Sequence, residues 1–285
     1  ITLTQMVLHV SMLLVVLQRL AHILDTRQEV PEDPQAVPFP APLQTGLALK
    51  NVTFSWSSDR PPVLEDISLH VPVGSWLCIM GASGCGKTTL LQLMARLFDP
   101  QEGEISVDGI ALDNLRFSSL RRNMALVPQE AQILSGTIRD NITYGYPQAT
   151  PDEIMRAARA AEAHDFIMEL PVKYETLIGE KGASLSGGQR QRISIARALI
   201  TNPEILLLDD CTSALDANTE RRLQQMLEKL LVGKTAVIVS QRVSMAMRCH
   251  RVAVLENGRI VEKGTPQNLL QRKGYFADLY AKQTG

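Results

Sequence analysis

Gly81-Ala82-Ser83-Gly84-Cys85-Gly86-Lys87-Thr88 matches the pattern GxxxxGK[ST] at every defined position. A short apolar run, 75–80, leads into it, and a helical pattern, 89–98, follows. Such a chain is committed to a strand–loop–helix unit. The glycines let the backbone curl until successive N–H groups face one anion, and the helix start adds its positive end. Lys87 supplies a compact positive charge for β- and γ-phosphates, and Thr88 an oxygen for Mg2+. Cys85 is read as a small residue contributing only its backbone N–H.

The rest of the chain fits an α/β domain with a largely parallel sheet. Strands are expected at 47–54, 67–71, 104–109, 124–128, 205–209 and 235–240. Thr150-Pro151-Asp152-Glu153 is a capping box with Pro at the first helical position, opening a helix expected to reach Ile167. A further helix is expected over 219–231. Asn257-Gly258 centres a hairpin over 252–264, and Thr265-Pro266 starts the C-terminal helices. Five prolines between 31 and 42 make 31–46 an extended linker. Ahead of it, residues 1–30 hold the most apolar helical stretch, read as the cytoplasmic end of a transmembrane helix.

Composition removes several function classes. With 29 Lys+Arg against 30 Asp+Glu and 5% aromatic residues, nucleic acid is not the expected partner. Cys78, Cys85, Cys211 and Cys249 lie far apart, which fits reduced thiols rather than a disulfide framework or metal knuckle. His22, His70, His164 and His250 show no ligand spacing. Arg121, Arg122, Arg190 and Arg192 read as solvated charge.

Two more stretches carry chemistry. The apolar strand 205–208 ends in Asp209, about 120 residues beyond the glycine-rich loop; in phosphate-loop NTPases such an acid holds Mg2+. Leu185-Ser186-Gly187-Gly188-Gln189 opens a helix that Ser186 can cap while two glycines leave the first amides open, making a second anion site. One fold does not easily bring both sites onto one nucleotide, so a partner subunit is required.

Together these motifs resemble the nucleotide-binding domain of the ABC transporters, over residues 47–285. The resemblance implies a P-loop NTPase core of ABC type with a mixed sheet, an antiparallel β subdomain and an inserted α-helical subdomain at about 129–202. It implies two ATP molecules sandwiched between two such domains, with Mg2+ as cofactor. Trp56 would stack on adenine, and Val63, Gly81, Ser83, Gly84, Cys85, Gly86, Lys87, Thr88 and Thr89 would contact the same ATP. Thr88, Gln129 and Asp209 would hold the metal. Ser186, Gly187, Gly188 and Gln189 would face the partner's ATP, and Ser213 and Asp216 would form the D-loop. Residues 176–182 resemble the segment that contacts the membrane domain in exporter-type members.

Two catalytic positions depart from the family's pattern. Where a Glu usually orients or deprotonates the attacking water, this chain has Asp210; one methylene less withdraws the carboxylate by about 1 Å, and misplacement on that scale can cost roughly 10²-fold. Where a His usually meets the γ-phosphate, it has Gln241, which can hydrogen-bond but carries no proton or charge near neutral pH. The expectation is a degenerate site here, an intact signature lent to the partner, and a partner half-transporter with Glu and His at those positions. The complex is expected in the cell membrane, multi-pass and in contact with lipid through upstream helices, with this domain on the cytoplasmic side. The alternatives are a homodimeric slow transporter ATPase, a non-hydrolysing regulatory subunit and a soluble, non-transport ABC ATPase. Against the last, Lys87 and Ser186 lie only 99 residues apart and one cassette is present.

Overall fold

A computed structural model describes residues 3–24, 30–57, 59–179, 182, 184–211 and 217–284. The chain divides into two compact units, Ile1–Pro31 and Glu32–Gly285. In the first, one helix, α1 (Leu3–Leu24), leaves Met6, Leu13 and Val16 more than half exposed. No described helix is long and apolar enough to cross a membrane.

The second unit runs β1 (Gly46–Phe54), β2 (Leu64–Pro72), β3 (Trp76–Met80), α2 (Lys87–Met94), β4 (Glu102–Val107), β5 (Ile110–Ala111), α3 (Phe117–Asn123), β6 (Met124–Val127), β7 (Gly136–Thr137), α4 (Ile138–Thr143), α5 (Pro151–Ala160), α6 (His164–Glu169), β8 (Leu177–Ile178), α7 (Gly187–Leu199), β9 (Ile205–Asp209), α8 (Ala217–Leu231), β10 (Thr235–Val239), α9 (Val243–Ala246), β11 (Arg251–Glu256), β12 (Arg259–Gly264), α10 (Pro266–Arg272) and α11 (Tyr275–Thr284). Six strands form the central sheet in the order β12-β11-β3-β10-β9-β6. All its neighbours pair in parallel except β11 and β12. A second sheet, β2-β1-β4-β5, is antiparallel throughout.

The strand sequences explain this arrangement. β9 and β10 are buried along their whole length, as strands covered on both faces must be. On β3, Cys78 and Met80 enter the core shared with α5 and α7, while Leu77 and Ile79 enter the core shared with α2 and the antiparallel sheet. From Glu32 on, the proline-rich stretch is part of this second unit: Phe39 and Leu43 are buried, and the Phe39 N–H donates to Ser119 Oγ at 2.9 Å.

Several boundaries differ from the sequence pattern for identifiable reasons. α2 begins at Lys87 and closes at Met94, because Arg96 turns into left-handed backbone at φ 50°. β4 stops at Val107, where Asp108 and Gly109 both take positive φ. The helix expected from Thr150 to Ile167 is two helices, α5 and α6, broken at Glu162 with φ 49°. Arg192 donates to the Glu162 carbonyl at 3.0 Å and stacks over Phe166, a tertiary contact that local helix pattern does not encode. The hairpin turn agrees: Asn257 and Gly258 both have positive φ, as a type I′ turn needs.

Candidate nucleotide-binding site

The loop between β3 and α2 is built from backbone that only glycine tolerates. Gly81 sits at φ 150°, and a Cβ there would lie 2.1 Å from the Leu255 carbonyl oxygen at the end of β11. Gly86, at φ 105°, is the N-cap of α2, and no side chain caps that helix; a Cβ would meet Leu64 Cδ2 at 2.9 Å. The first N–H groups of α2 are thereby left for an anion. Lys87 is buried and its ammonium donates to the carbonyls of Ala82 at 2.6 Å and Gly81 at 3.0 Å. Thr89 is buried against the core, whereas Ser83 and Gly84 are exposed on the loop. Cys85 is half-buried.

Adjacent strands bring the acidic residues to the same edge. β10 pairs with both β3 and β9, so Val239 lies beside Ile79 on one side and Asp209 on the other. Asp209 is 5% exposed. Burial pushes its carboxyl up, while the Thr88 side chain and the Lys87 charge pull the other way. Thr88, Lys87 and Asp209 therefore face one another, as a phosphate-bound hard cation requires. Asp210 is also buried, at φ 34°, and its N–H donates to the Val239 carbonyl at 2.9 Å. The Cys211 thiol is pushed up to about 12, first by burial and then by the Asp210 charge. Cys78 is raised by its hydrogen bond with Cys249, by burial and by Asp210 as well. Gln241 follows β10 and is exposed, with Ser240 beneath it donating its N–H to the Ile79 carbonyl.

Trp56 stands 48% exposed, held edge-on by Phe54 and Phe98 at centroid separations of 5.1 and 4.9 Å. Val63 backs onto Gly86. Gln129 opens the loop after β6 and lines a cavity of about 730 Å³ together with Gly187, Arg190, Gln191 and Cys211.

Ser186, Gly187, Gly188 and Gln189 form the start of α7 with a complete capping box. Ser186 Oγ accepts from the Gln189 N–H at 3.2 Å, and Gln189 Oε1 accepts from the Ser186 N–H at 2.9 Å. Among the described residues, no hydrogen bond or ion pair joins this motif to the phosphate loop. Ser213 and Asp216, and Glu180 and Lys181 of the 176–182 segment, lie outside the described residues.

Of the arginines expected to be solvated, Arg121 and Arg122 are exposed and Arg190 and Arg192 half-buried, and each also makes a contact within the fold. Arg121 donates to the Ala95 and Arg96 carbonyls at the end of α2 and sits over Phe117. Arg190 donates to Leu185 O at 2.6 Å, behind the signature. Arg122 lies over the Tyr146 ring. Sequence reasoning missed Arg197, which donates to Asn141 and Gln132 and ties α7 to the loop after Gln129. Its signal would have been the paired burial of Arg197 with Asn141, which is invisible without the fold.

Oxygen donors at Thr88 and Asp209, a lysine and a glycine cradle fit a magnesium nucleotide. Residues 64–213, just over half of the chain, match the family described as "ABC transporter". The chain belongs to the ABC transporter family. It is 44% identical over 266 residues to the ATP-dependent lipid A-core flippase of Desulfotalea psychrophila, across 93% of this chain and 46% of that protein. It is 47% identical over 232 residues to the heterocyst differentiation ATP-binding protein HepA of Nostoc sp., across 81% and 38%. Its fold superposes on a bacterial Atm1-family ABC exporter with ATP bound, with TM-score 0.87, 36% identity, and coverage of 95% of this chain and 47% of that one. The chain thus spans less than half the length of these relatives. It carries an ABC-type ATP-binding domain, with the mixed central sheet and antiparallel sheet that the resemblance implied.

Proposed function

We propose that this domain is the ATP-binding part of a membrane exporter subunit whose own phosphate-loop site binds ATP tightly and hydrolyses it slowly, while its signature completes a competent site on a different partner. The observation that carries the reading is the pairing of two altered residues, Asp210 and Gln241, with an intact phosphate loop and a fully capped LSGGQ. The altered residues follow neighbouring strands, β9 and β10, so both act at one end of the nucleotide.

The binding half of the chemistry follows from the loop. Backbone N–H groups of 84–88 and the Lys87 ammonium hold the β- and γ-phosphates. Thr88 and Asp209, with Gln129 from the neighbouring loop, would hold Mg2+, which neutralises charge on the phosphate oxygens. Trp56 offers its open face to adenine and Val63 packs beneath. The hydrolytic half is weakened at both positions: Asp210 falls short of the attacking water, and Gln241 offers a neutral hydrogen bond where a charged one would stabilise the γ-phosphate. On the other side, Ser186 and the open amides of Gly187 and Gly188 meet the partner's γ-phosphate. ATP favours the closed pair of domains, and this differential affinity drives the membrane segments. In this reading residues 1–30 end the last membrane helix, 31–46 link it to the domain at 47–285, with 129–202 as the helical subdomain, and the domain lies on the cytoplasmic side.

The test uses the full-length chain co-purified with its partner. Asp210→Glu with Gln241→His is expected to leave ATPase activity unchanged or raise it modestly. A Glu→Gln change at the partner's catalytic position is expected to nearly abolish it. Brisk ATPase from the full-length chain alone, as a homodimer, would overturn the asymmetry.

A further inference from the structure

The peptide between Gln241 and Arg242 is held locally through its N–H, which donates to Ser240 Oγ at 3.1 Å, and from a distant helix through its carbonyl. That Gln241 carbonyl accepts from Gln283 Nε2 at 2.8 Å, and two residues on the Val243 N–H donates to Gln283 Oε1 at 2.9 Å. Gln283 belongs to α11, 42 residues away in sequence. The orientation of its amide is forced, because a backbone carbonyl can only accept and a backbone N–H can only donate. One side chain therefore brackets the peptides on both sides of Arg242, whose own side chain does not cap α9. α11 is seated independently of this bracket. Phe276 is fully buried, and the Glu262 carboxylate accepts from the N–H groups of Tyr275 at 2.5 Å and Phe276 at 3.3 Å.

We propose that Gln283 is a positioning residue for the γ-phosphate switch: its amide fixes the 241–243 backbone so that the exposed Gln241 side chain is presented toward the nucleotide. This rests on the reading of Gln241 as the γ-phosphate contact. The glutamine amide meets both partners because it carries a donor and an acceptor on one group. A carboxylate at 283 would still accept from Val243 but could not donate to Gln241 and would repel its carbonyl; alanine would lose both bonds. Because Gln241 would reach only the third phosphate, a misplaced switch should weaken ATP and spare ADP.

The measurement is competition by unlabelled ATP and ADP against a photoactivatable azido-ATP, read on this chain's band in the full-length complex. Gln283→Ala and Gln283→Glu are each expected to lower the preference for ATP over ADP by about 2- to 10-fold, the loss of one net hydrogen bond. Amide hydrogen exchange across 241–247 should rise in Gln283→Ala and, at Val243, less in Gln283→Glu. If Gln241→Ala lowers the preference but Gln283→Ala does not, the positioning role is wrong while the reading of Gln241 stands. If neither changes it, Gln241 does not touch the γ-phosphate and both fall. An equal loss of ATP and ADP affinity would make Gln283 a structural residue only. Should the alanine variant fail to fold, Gln283→Glu, which keeps the Val243 bond, carries the same comparison.

Discussion

At the scale of single residues, Asp209 shows function set against stability. Its carboxyl is raised by burial despite Thr88 and Lys87, so its charged form costs the fold free energy at neutral pH. A raised carboxyl contributes stability that is full below the unfolded value, near 4, and is lost as pH climbs through the higher folded value. Asp209→Asn is therefore expected to raise the melting temperature of the nucleotide-free protein at pH 7.5 by about 2–4 °C, the equivalent of about 1 kcal/mol, with the gain shrinking toward pH 4. The same variant should lose the extra stabilisation that Mg2+ adds to ATP. Calorimetry with and without MgATP checks both; an unchanged or lower melting temperature without nucleotide would contradict the argument. Residues like Asp209, Lys87 and Thr88 were legible in sequence because their chemistry is tied to local spacing. Arg121 and Arg192 were not, because their partners, the end of α2 and the break at Glu162, come from distant segments.

At the scale of elements, turn chemistry decided more than periodicity. The capping boxes at Thr150 and Ser186 formed as their patterns dictated. The helix after Thr150 nevertheless breaks short of Ile167, at Glu162, which nothing local in the pattern marks. A comparable device joins the two halves of the antiparallel sheet. Asp108, in the turn after β4, accepts from the N–H groups of Gln44, Thr45 and Gly46 at 2.8, 2.8 and 2.9 Å, and from the Thr45 hydroxyl at 2.9 Å. Burial alone pushes its carboxyl up, but these hydrogen bonds outweigh that and hold it below its ordinary value. A lowered carboxyl contributes stability above the unfolded value, near 4, and loses it as pH falls through the folded one. Asp108→Asn is expected to destabilise by about 1 kcal/mol at pH 7, a figure reduced for its partly exposed position. Denaturant titrations should show the two proteins converging in strongly acid buffer; a gap that persists there would refute the charge argument.

For the whole molecule, the order of strands matters more than any one of them. Placing β10 between β3 and β9 sets the phosphate loop, Asp209, Asp210 and Gln241 along one edge, although 160 residues separate Gly81 from Gln241. The largely parallel character of the central sheet was legible from strands alternating with helices. Its strand order was not, because register between distant strands leaves no trace in local pattern. The asymmetry proposed for the two ATP sites has a stoichiometric signature. After the assembled complex turns over MgATP and is freed of unbound nucleotide, about half of what it retains should be ATP and half ADP, by chromatography of the released nucleotide. Wholly hydrolysed nucleotide would argue for two equal sites.

The tip of the β11–β12 hairpin leans on the front of the domain: a methyl group on Gly258 would come within 2.5 Å of the Val63 carbonyl, and the Leu255 oxygen already fills the space beside Gly81. The backing of Val63 and Gly81 is thus made from chain synthesised long after the glycine-rich loop itself. A nascent polypeptide that has emerged only as far as its signature helix still lacks that backing. The glycine-rich loop therefore gains its backing only once β11 and β12, near the end of the domain, have been made.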